Sequence, residues 1–426
     1  MIRYFIQVIL VIIIFPLSSA AQTGKVISLK TCLTKAEKNF PLLKKDLYNQ
    51  QQLQLEKKIV SSNYYPSLNI NGRASYQSEV TQMPALPIPG VTIPVISNDF
   101  YKINLNLEQL IWDGGRTKKL FDIKENEYKI DVQKNKIRLY DLKKRISIMY
   151  FNTLFLKENI KTLKLLASDL KARIADGKAA VRNGVILASG LDQLKVGLMQ
   201  TQQIIYSKNS DLKGLIESLN ALTGMKISVN DSLASPDMNI SVFPMDNNRP
   251  EYHLLTMQQQ QIKSYNSLNR KKRMPVLKFF GQAGYGRPGY NMLNNNFSSY
   301  YMFGVQLNWK LWNKGNVKKQ QQIFTLQQNK IQVEKENFNY NLNAVYRQQL
   351  ESIKKFKSLL AADKKIITIQ DKITQTSQNQ LKNGTITASE YLIQLNKKIK
   401  AVLTMKAHKL QLLFAKNQYL TTMGKL

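Results

Sequence analysis

Cysteine is nearly missing: Cys32 stands alone among 426 residues, so no intramolecular disulfide can form. It follows Lys30-Thr31, without the apolar lead-in of a lipid-anchored cysteine, and reads as a small, semi-buried helix residue. Histidine is scarce too. His253 and His408 have no cysteine or acidic partner at metal-ligand spacing, so neither a metal site nor a cofactor is expected. Past the opening segment no run of 18 apolar residues occurs, which excludes a transmembrane helix. If the chain enters a membrane it must do so as a β-barrel, because only helices and closed barrels satisfy their backbone groups in lipid. Catalytic constellations are absent. Gly281-Gln282-Ala283-Gly284-Tyr285-Gly286 has the glycines of a phosphate loop, but no lysine follows and its surroundings read as strand. No enzyme is expected.

Acidic residues are few, 28 against 62 lysines and arginines, for a formal charge of +34. The cations spread along helical segments instead of flanking a base-reading motif, which argues against nucleic acid. They fit a solvated helix surface, or attraction to anionic cargo or lipopolysaccharide. The start of the chain is different in kind. Met1-Ile2-Arg3, the apolar stretch Ile9 to Phe15 and the small residues Ser18-Ser19-Ala20-Ala21 read as a secretory signal peptide over 1–21, cut after Ala20 or Ala21.

What is present is a duplication. Asn39-Phe40-Pro41 returns as Asn248-Arg249-Pro250 and Pro66 as Pro275, both 209 residues on. Ile111-Trp112-Asp113-Gly114-Gly115 is answered by Leu311-Trp312-Asn313-Lys314-Gly315 at an offset of 200. Asn183-Gly184 and Asn383-Gly384, Ala188-Ser189 and Ala388-Ser389, and Gly224 and Gly424 keep that offset. The difference places an insertion in the first copy, where Met83 to Gly90 is rich in proline, as a surface loop tolerates. The expected layout is a first repeat at 22–224 (helix, strand pair, long helical hairpin), a junction at 225–249 and a second repeat at 250–426.

After each repeat's proline the apolar period becomes two, predicting strands near 66–80, 100–112, 275–286 and 300–312. Tyr301, Phe303, Val305, Leu307 and Trp309 alternate with small or polar residues; Ile103, Leu105 and Leu107 do the same, as do Leu68 and Ile70. The strand from Val276 is less regular, since Phe279 and Phe280 fall on both faces. Such alternation suits a membrane barrel, and a soluble two-sheet core would produce it equally. Four strands, however, can neither fill a globule beside such long helices nor close a barrel, which needs about eight. Closure requires several chains.

Between Gly115 and Asn183 there is no proline, and Leu139, Leu142, Ile146, Met149 and their successors keep a 4-3 spacing to Val181. That is coiled-coil periodicity, and at 1.5 Å per residue the arm would run about 100 Å. Asn183-Gly184 marks a tight reversal, and Leu187 to Leu222 continue the stripe on a return arm. The second copy, from Gly315 to Gly424, has a weaker stripe, interrupted by Asp363, Gln370 and Thr374. Contact with a water-filled space or loose packing would each account for it.

These elements together resemble the TolC-type outer-membrane efflux family over nearly the whole chain. The residues carrying the resemblance are Leu29 to Pro41, Tyr65-Pro66-Ser67-Leu68, Gly304 to Trp312, Asn383-Gly384-Thr385-Ile386-Thr387 and Thr223-Gly224. The resemblance implies a mixed α and β membrane protein. It would be a homotrimer whose long antiparallel hairpins form an α-barrel tunnel across the periplasm, with four strands per chain building a twelve-stranded barrel in outer-membrane lipid. It further implies a passive duct that completes a tripartite efflux or type I secretion complex, docking a periplasmic adaptor and an energised inner-membrane pump. By the same resemblance Glu390 would narrow the periplasmic entrance, while Arg182, Asn183, Gly184, Lys382, Asn383 and Gly384 form the adaptor-docking tips. The first copy carries Gly190 where the second has Glu390. The competing reading is a periplasmic coiled-coil scaffold or tether, which would not need alternating strands. A periplasmic adaptor would carry one hairpin, not two.

Overall fold

The computed structural model describes residues 25–81, 96–184, 187–238, 248–312 and 314–425. The expected signal peptide, the proline-rich stretch from Met83 to Gly90, residues 239–247 of the expected junction and Asn313 lie outside the described residues.

The order is β1 (Val26–Ile27), α1 (Leu29–Asn39), α2 (Leu43–Ser61), a 3-10 turn at Ser62–Tyr64, β2 (Ser67–Tyr76), β3 (Asp99–Trp112), α3 (Arg116–Arg182) and α4 (Ala188–Thr223). It continues with β4 (Ser232–Leu233), α5 (Pro250–Lys271), β5 (Val276–Arg287), β6 (Ser298–Asn308), α6 (Asn316–Lys382) and α7 (Ala388–Thr422). Helix, two strands, very long helix and shorter helix thus occur twice in succession. The long helices α3 and α6 have 67 residues each, while the return arms α4 and α7 have 36 and 35. The short β1–β4 pair has no pattern long enough to be read from sequence, whereas the break between α1 and α2 falls at Asn39-Phe40-Pro41.

Compact packing does not follow the repeats. One unit gathers the segment up to Ala36, Ile146–Asp237 and Ile366–Leu410; the other gathers Glu37–Arg145, Met238–Lys365 and Gln411–Leu426. Each therefore draws on both copies.

The first unit is helical. Its core joins Leu166 and Leu170 of α3, Leu194 of α4, and Ala388, Tyr391 and Leu395 of α7. The parallel β1–β4 pair, Val26 opposite Ser232 and Ile27 opposite Leu233, belongs to the same unit. The buried Tyr150 hydroxyl reaches the carbonyls of Ile27 at 2.9 Å and Ala234 at 2.6 Å, tying both strands to α3. Cys32 is buried beside them, and burial pushes its thiol up to about 11, which keeps it protonated and inert. The polar interruptions of the second copy are packed, not wet: Thr374 is buried, and the Gln370 amide donates to the Gln394 carbonyl of α7 at 3.3 Å.

The second unit holds the four-stranded sheet β2-β3-β5-β6, antiparallel throughout, with β2 and β6 at its edges. The strand β6 stops at Asn308, short of residue 312, because its last partner, Val276, directly follows Pro275, which has no N–H to extend the ladder. Beyond it the Trp309 indole donates to the Arg273 carbonyl at 3.0 Å. Strand-to-helix junctions are pinned by side chains. Asp113, buried, accepts from the backbone N–H groups of Gly115 (2.8 Å), Arg116 (3.0 Å) and Thr117 (2.6 Å), satisfying donors that the first turn of α3 leaves open. The Tyr64 hydroxyl adds a fourth bond at 3.1 Å. The Arg116 guanidinium donates to the carbonyls of Lys271, Lys272 and Met274 at 3.1–3.2 Å, capping α5 and so binding a helix of the second copy to one of the first. Tyr140 donates to the Thr421 carbonyl, and burial pushes its hydroxyl up to about 12.

Candidate functional site

The register sorts the sheet into two chemically distinct faces. On one lie Leu68 and Ile70 of β2, Ile103, Leu105 and Leu107 of β3, Phe279 and Ala283 of β5, and Tyr301, Phe303 and Val305 of β6. On the other lie Asn69, Asn71, Asn104, Asn106, Gln282 and Gln306. Their exposure reverses that of a water-soluble sheet. In the central strand β3 the apolar Tyr101, Ile103 and Leu105 are 43%, 55% and 41% exposed, while the intervening Lys102, Asn104 and Asn106 are half-buried. Polar side chains crowd one another instead: Gln282 donates to Asn106 at 2.7 Å, Tyr290 to Gln282 at 2.6 Å, and Tyr300 to Asn104.

The two aromatic residues that spoil the alternation find their room in glycines. Phe280 lies opposite Gly304, where an added Cβ would meet its ring at 3.0 Å, and Tyr300 opposite Gly284, where a Cβ would meet its ring at 2.6 Å. Sequence reading saw the irregularity in β5 but not the cross-strand glycine that absorbs it.

At the hairpin ends, Arg182, Asn183 and Gly184 are exposed, as are Lys382, Asn383 and Gly384. The turns are alike. Gly184 and Gly384 adopt φ of 72° and 69° and donate to the carbonyls of Val181 and Leu381 at 3.1 Å, a left-handed helix stop that glycine enters without a Cβ penalty. In the second hairpin Thr385 also donates to the Gln380 carbonyl at 2.9 Å. Glu390 has a definite local task. Its carboxylate accepts from the Thr387 backbone N–H at 2.8 Å and hydroxyl at 2.9 Å, while the Glu390 N–H donates to the Thr387 hydroxyl at 3.2 Å. This is a capping box at the start of α7, and those bonds hold the exposed carboxyl below its usual range. The counterpart Gly190 faces Ala388, and a Cβ there would stand 3.4 Å from the alanine's.

A polar cluster inside the first unit escaped sequence reading. Arg173 reaches Asp169 at 3.4 Å and Asp176 at 3.6 Å, and the Gln378 amide, with its oxygen toward the guanidinium, accepts from it at 2.9 and 3.0 Å. The buried Tyr391 hydroxyl beside them is raised by burial and by Asp169, with Arg173 opposing. Its only signal in sequence was the Asp169–Arg173 spacing of four, common on any exposed helix. Among the described residues no group of histidine, cysteine and acidic side chains could hold a metal ion, and no helix is long and apolar enough to cross a membrane.

No protein-family model and no curated protein matches the sequence. Solved structures do match. A CusC structure concerned with folding and transmembrane channel formation is similar with a TM-score of 0.70 at 14% identity, covering 93% of this chain and 92% of that one. The Campylobacter jejuni CmeC outer membrane channel is similar at 0.65 and 15% identity, covering 93% and 85%. The open state of the Neisseria gonorrhoeae MtrE outer membrane channel is similar at 0.64 and 14%, covering 93% and 88%. The chain has the fold of these outer-membrane channel structures.

Proposed function

We propose that this chain is a TolC-type outer-membrane efflux channel, a passive duct reaching from the outer membrane into the periplasm. One observation carries the reading: the sheet leaves its apolar face exposed and, among the described residues, both edge strands, β2 and β6, without a neighbour. In water each feature is unfavourable, since an open edge invites aggregation. In a bilayer an apolar exterior is what a barrel needs, and edge-to-edge pairing of β2 with β6 of another copy removes the open edges. Three copies would make a twelve-stranded barrel, with the hairpins continuing as a tunnel. The energy for export would come from an inner-membrane pump reached through a periplasmic adaptor, and the cargo could be a small solute or a secreted protein.

The test is fractionation with the outer membrane, a heat-modifiable trimer on electrophoresis, and discrete conductance in planar bilayers. A soluble periplasmic monomer without conductance would instead identify a scaffold.

Two finer assignments belong to this reading. Three Glu390 carboxylates would constrict the periplasmic entrance and attract cations, the capping box fixing where each points. Glu390→Gln keeps the capping bonds and removes the charge, so it should raise conductance and weaken block by divalent ions; unchanged recordings would remove the gate. The tips, Arg182 to Gly184 and Lys382 to Gly384, would dock the adaptor. Photo-crosslinkers at Arg182 and Lys382 should capture a co-expressed adaptor, and labels elsewhere on α3 should not.

A further inference from the structure

Arg73 of β2 and Lys102 of β3 are directly opposed partners on the polar face of the sheet. The Cβ atoms of residues so placed stand roughly 5 Å apart, and like charges directly opposite are destabilising in sheets. No acidic side chain among the described residues on that face answers them. Its acid, Glu108, is taken by Lys278 at 3.1 Å. Asp99, the other nearby carboxylate, has the parity of the apolar face and is paired with Arg287. Arg73 is exposed, and the Lys102 ammonium stands 5.9 Å from the centre of the Tyr300 ring, an aromatic face that holds a cation without neutralising it. The polar face therefore carries two uncompensated cations per chain, side by side at one level of the sheet.

We propose that Arg73 and Lys102 form a cationic ring in the barrel lumen that selects for anionic solutes. The inference rests on the channel reading above and deepens it: repeated by symmetry, the pair places all its charge at one height in a water-filled bore. A ring of one sign raises the local concentration of the opposite ion, as charged rings do in other pores. The charge of this ring is independent of the Glu390 carboxylates, which lie in the other compact unit.

The experiment is reversal-potential measurement on single channels of the detergent-extracted, full-length protein in neutral-lipid planar bilayers, under a tenfold potassium chloride gradient. The wild type should favour chloride over potassium. The double variant R73Q/K102Q should lower that permeability ratio by at least about twofold, and the wild-type preference should fade as salt rises from 0.1 to 1 M, where the Debye length drops from about 10 to about 3 Å. The charge-balanced pair E108Q/K278Q should leave the ratio in place. An unchanged ratio in the R73Q/K102Q channel, or a preference for potassium that survives Glu390→Gln, overturns the anion filter and leaves the channel standing. Absence of any conductance from a membrane-inserted protein overturns the channel reading and the filter with it.

Discussion

Asp113 shows how one side chain can hold two kinds of structure together. Burial raises its pKa, but hydrogen bonds from Thr117, Tyr64 and Gly115 outweigh burial and hold the carboxyl below 3.8. A carboxyl depressed in the folded state contributes fully above its ordinary value, and that contribution is lost as pH falls through the folded one. Asp113→Asn should therefore flatten the decline of melting temperature below pH 3.8 relative to wild type, seen by circular dichroism in detergent. Asp113→Ala, which removes the cap altogether, should cost about 1–2 kcal/mol in chemical unfolding. The doubled Trp-Asp-Gly-Gly and Trp-Asn-Lys-Gly motifs were visible in sequence; that the aspartate is a buried cap was not. Its backbone donors follow it at Gly115, Arg116 and Thr117, and the Tyr64 hydroxyl is contributed by a different segment. Glu390 carries the reverse lesson. The Thr387–Glu390 spacing of a capping box lay in plain view, yet family resemblance directed attention to a gate, and the local role is what the bonds establish.

Among the elements, the strands were the most legible, because a two-residue period survives any tertiary context. The two faces need not be equally tolerant of charge. If the apolar face meets lipid, Leu105→Lys should destabilise the barrel by about 2–4 kcal/mol near mid-bilayer, while Asn106→Lys on the polar face should change stability little. Unfolding from lipid vesicles by urea, followed by tryptophan fluorescence, measures both; equal costs would show that the apolar face meets water. The ends of strands were harder to read. Hydrophobic alternation runs on through Trp309 and Leu311, but the ladder stops at Asn308 because the partner strand begins after a proline. The long helices followed directly from the missing prolines and the unbroken stripe. The polar interruptions of α6 left two accounts open, and Thr374 proves to be packed against its own chain.

For the whole molecule the decisive feature is the pair of edges that the described residues leave open. The Gln77 N–H donates to the Asn98 carbonyl at 2.8 Å, so the two-residue ladder period aims the amides of odd-numbered β2 residues at β3 and of even-numbered ones at the open edge. Ala74→Pro thus deletes a donor at the open edge and spares the β2–β3 ladder. It should abolish the heat-modifiable trimer while β content by circular dichroism stays close to wild type; an intact trimer would argue against closure through this edge.

Sequence alone determined the duplication, the element types and the impossibility of closing a barrel from one chain, since periodicity, proline gaps and strand number are properties of linear order. Only the tertiary structure decided which strands are neighbours, that the compact units cut across the repeats, and that Arg73 faces Lys102. Register is set by side chains far apart in the chain meeting across a ladder, and a shift of one residue would exchange the faces of the sheet.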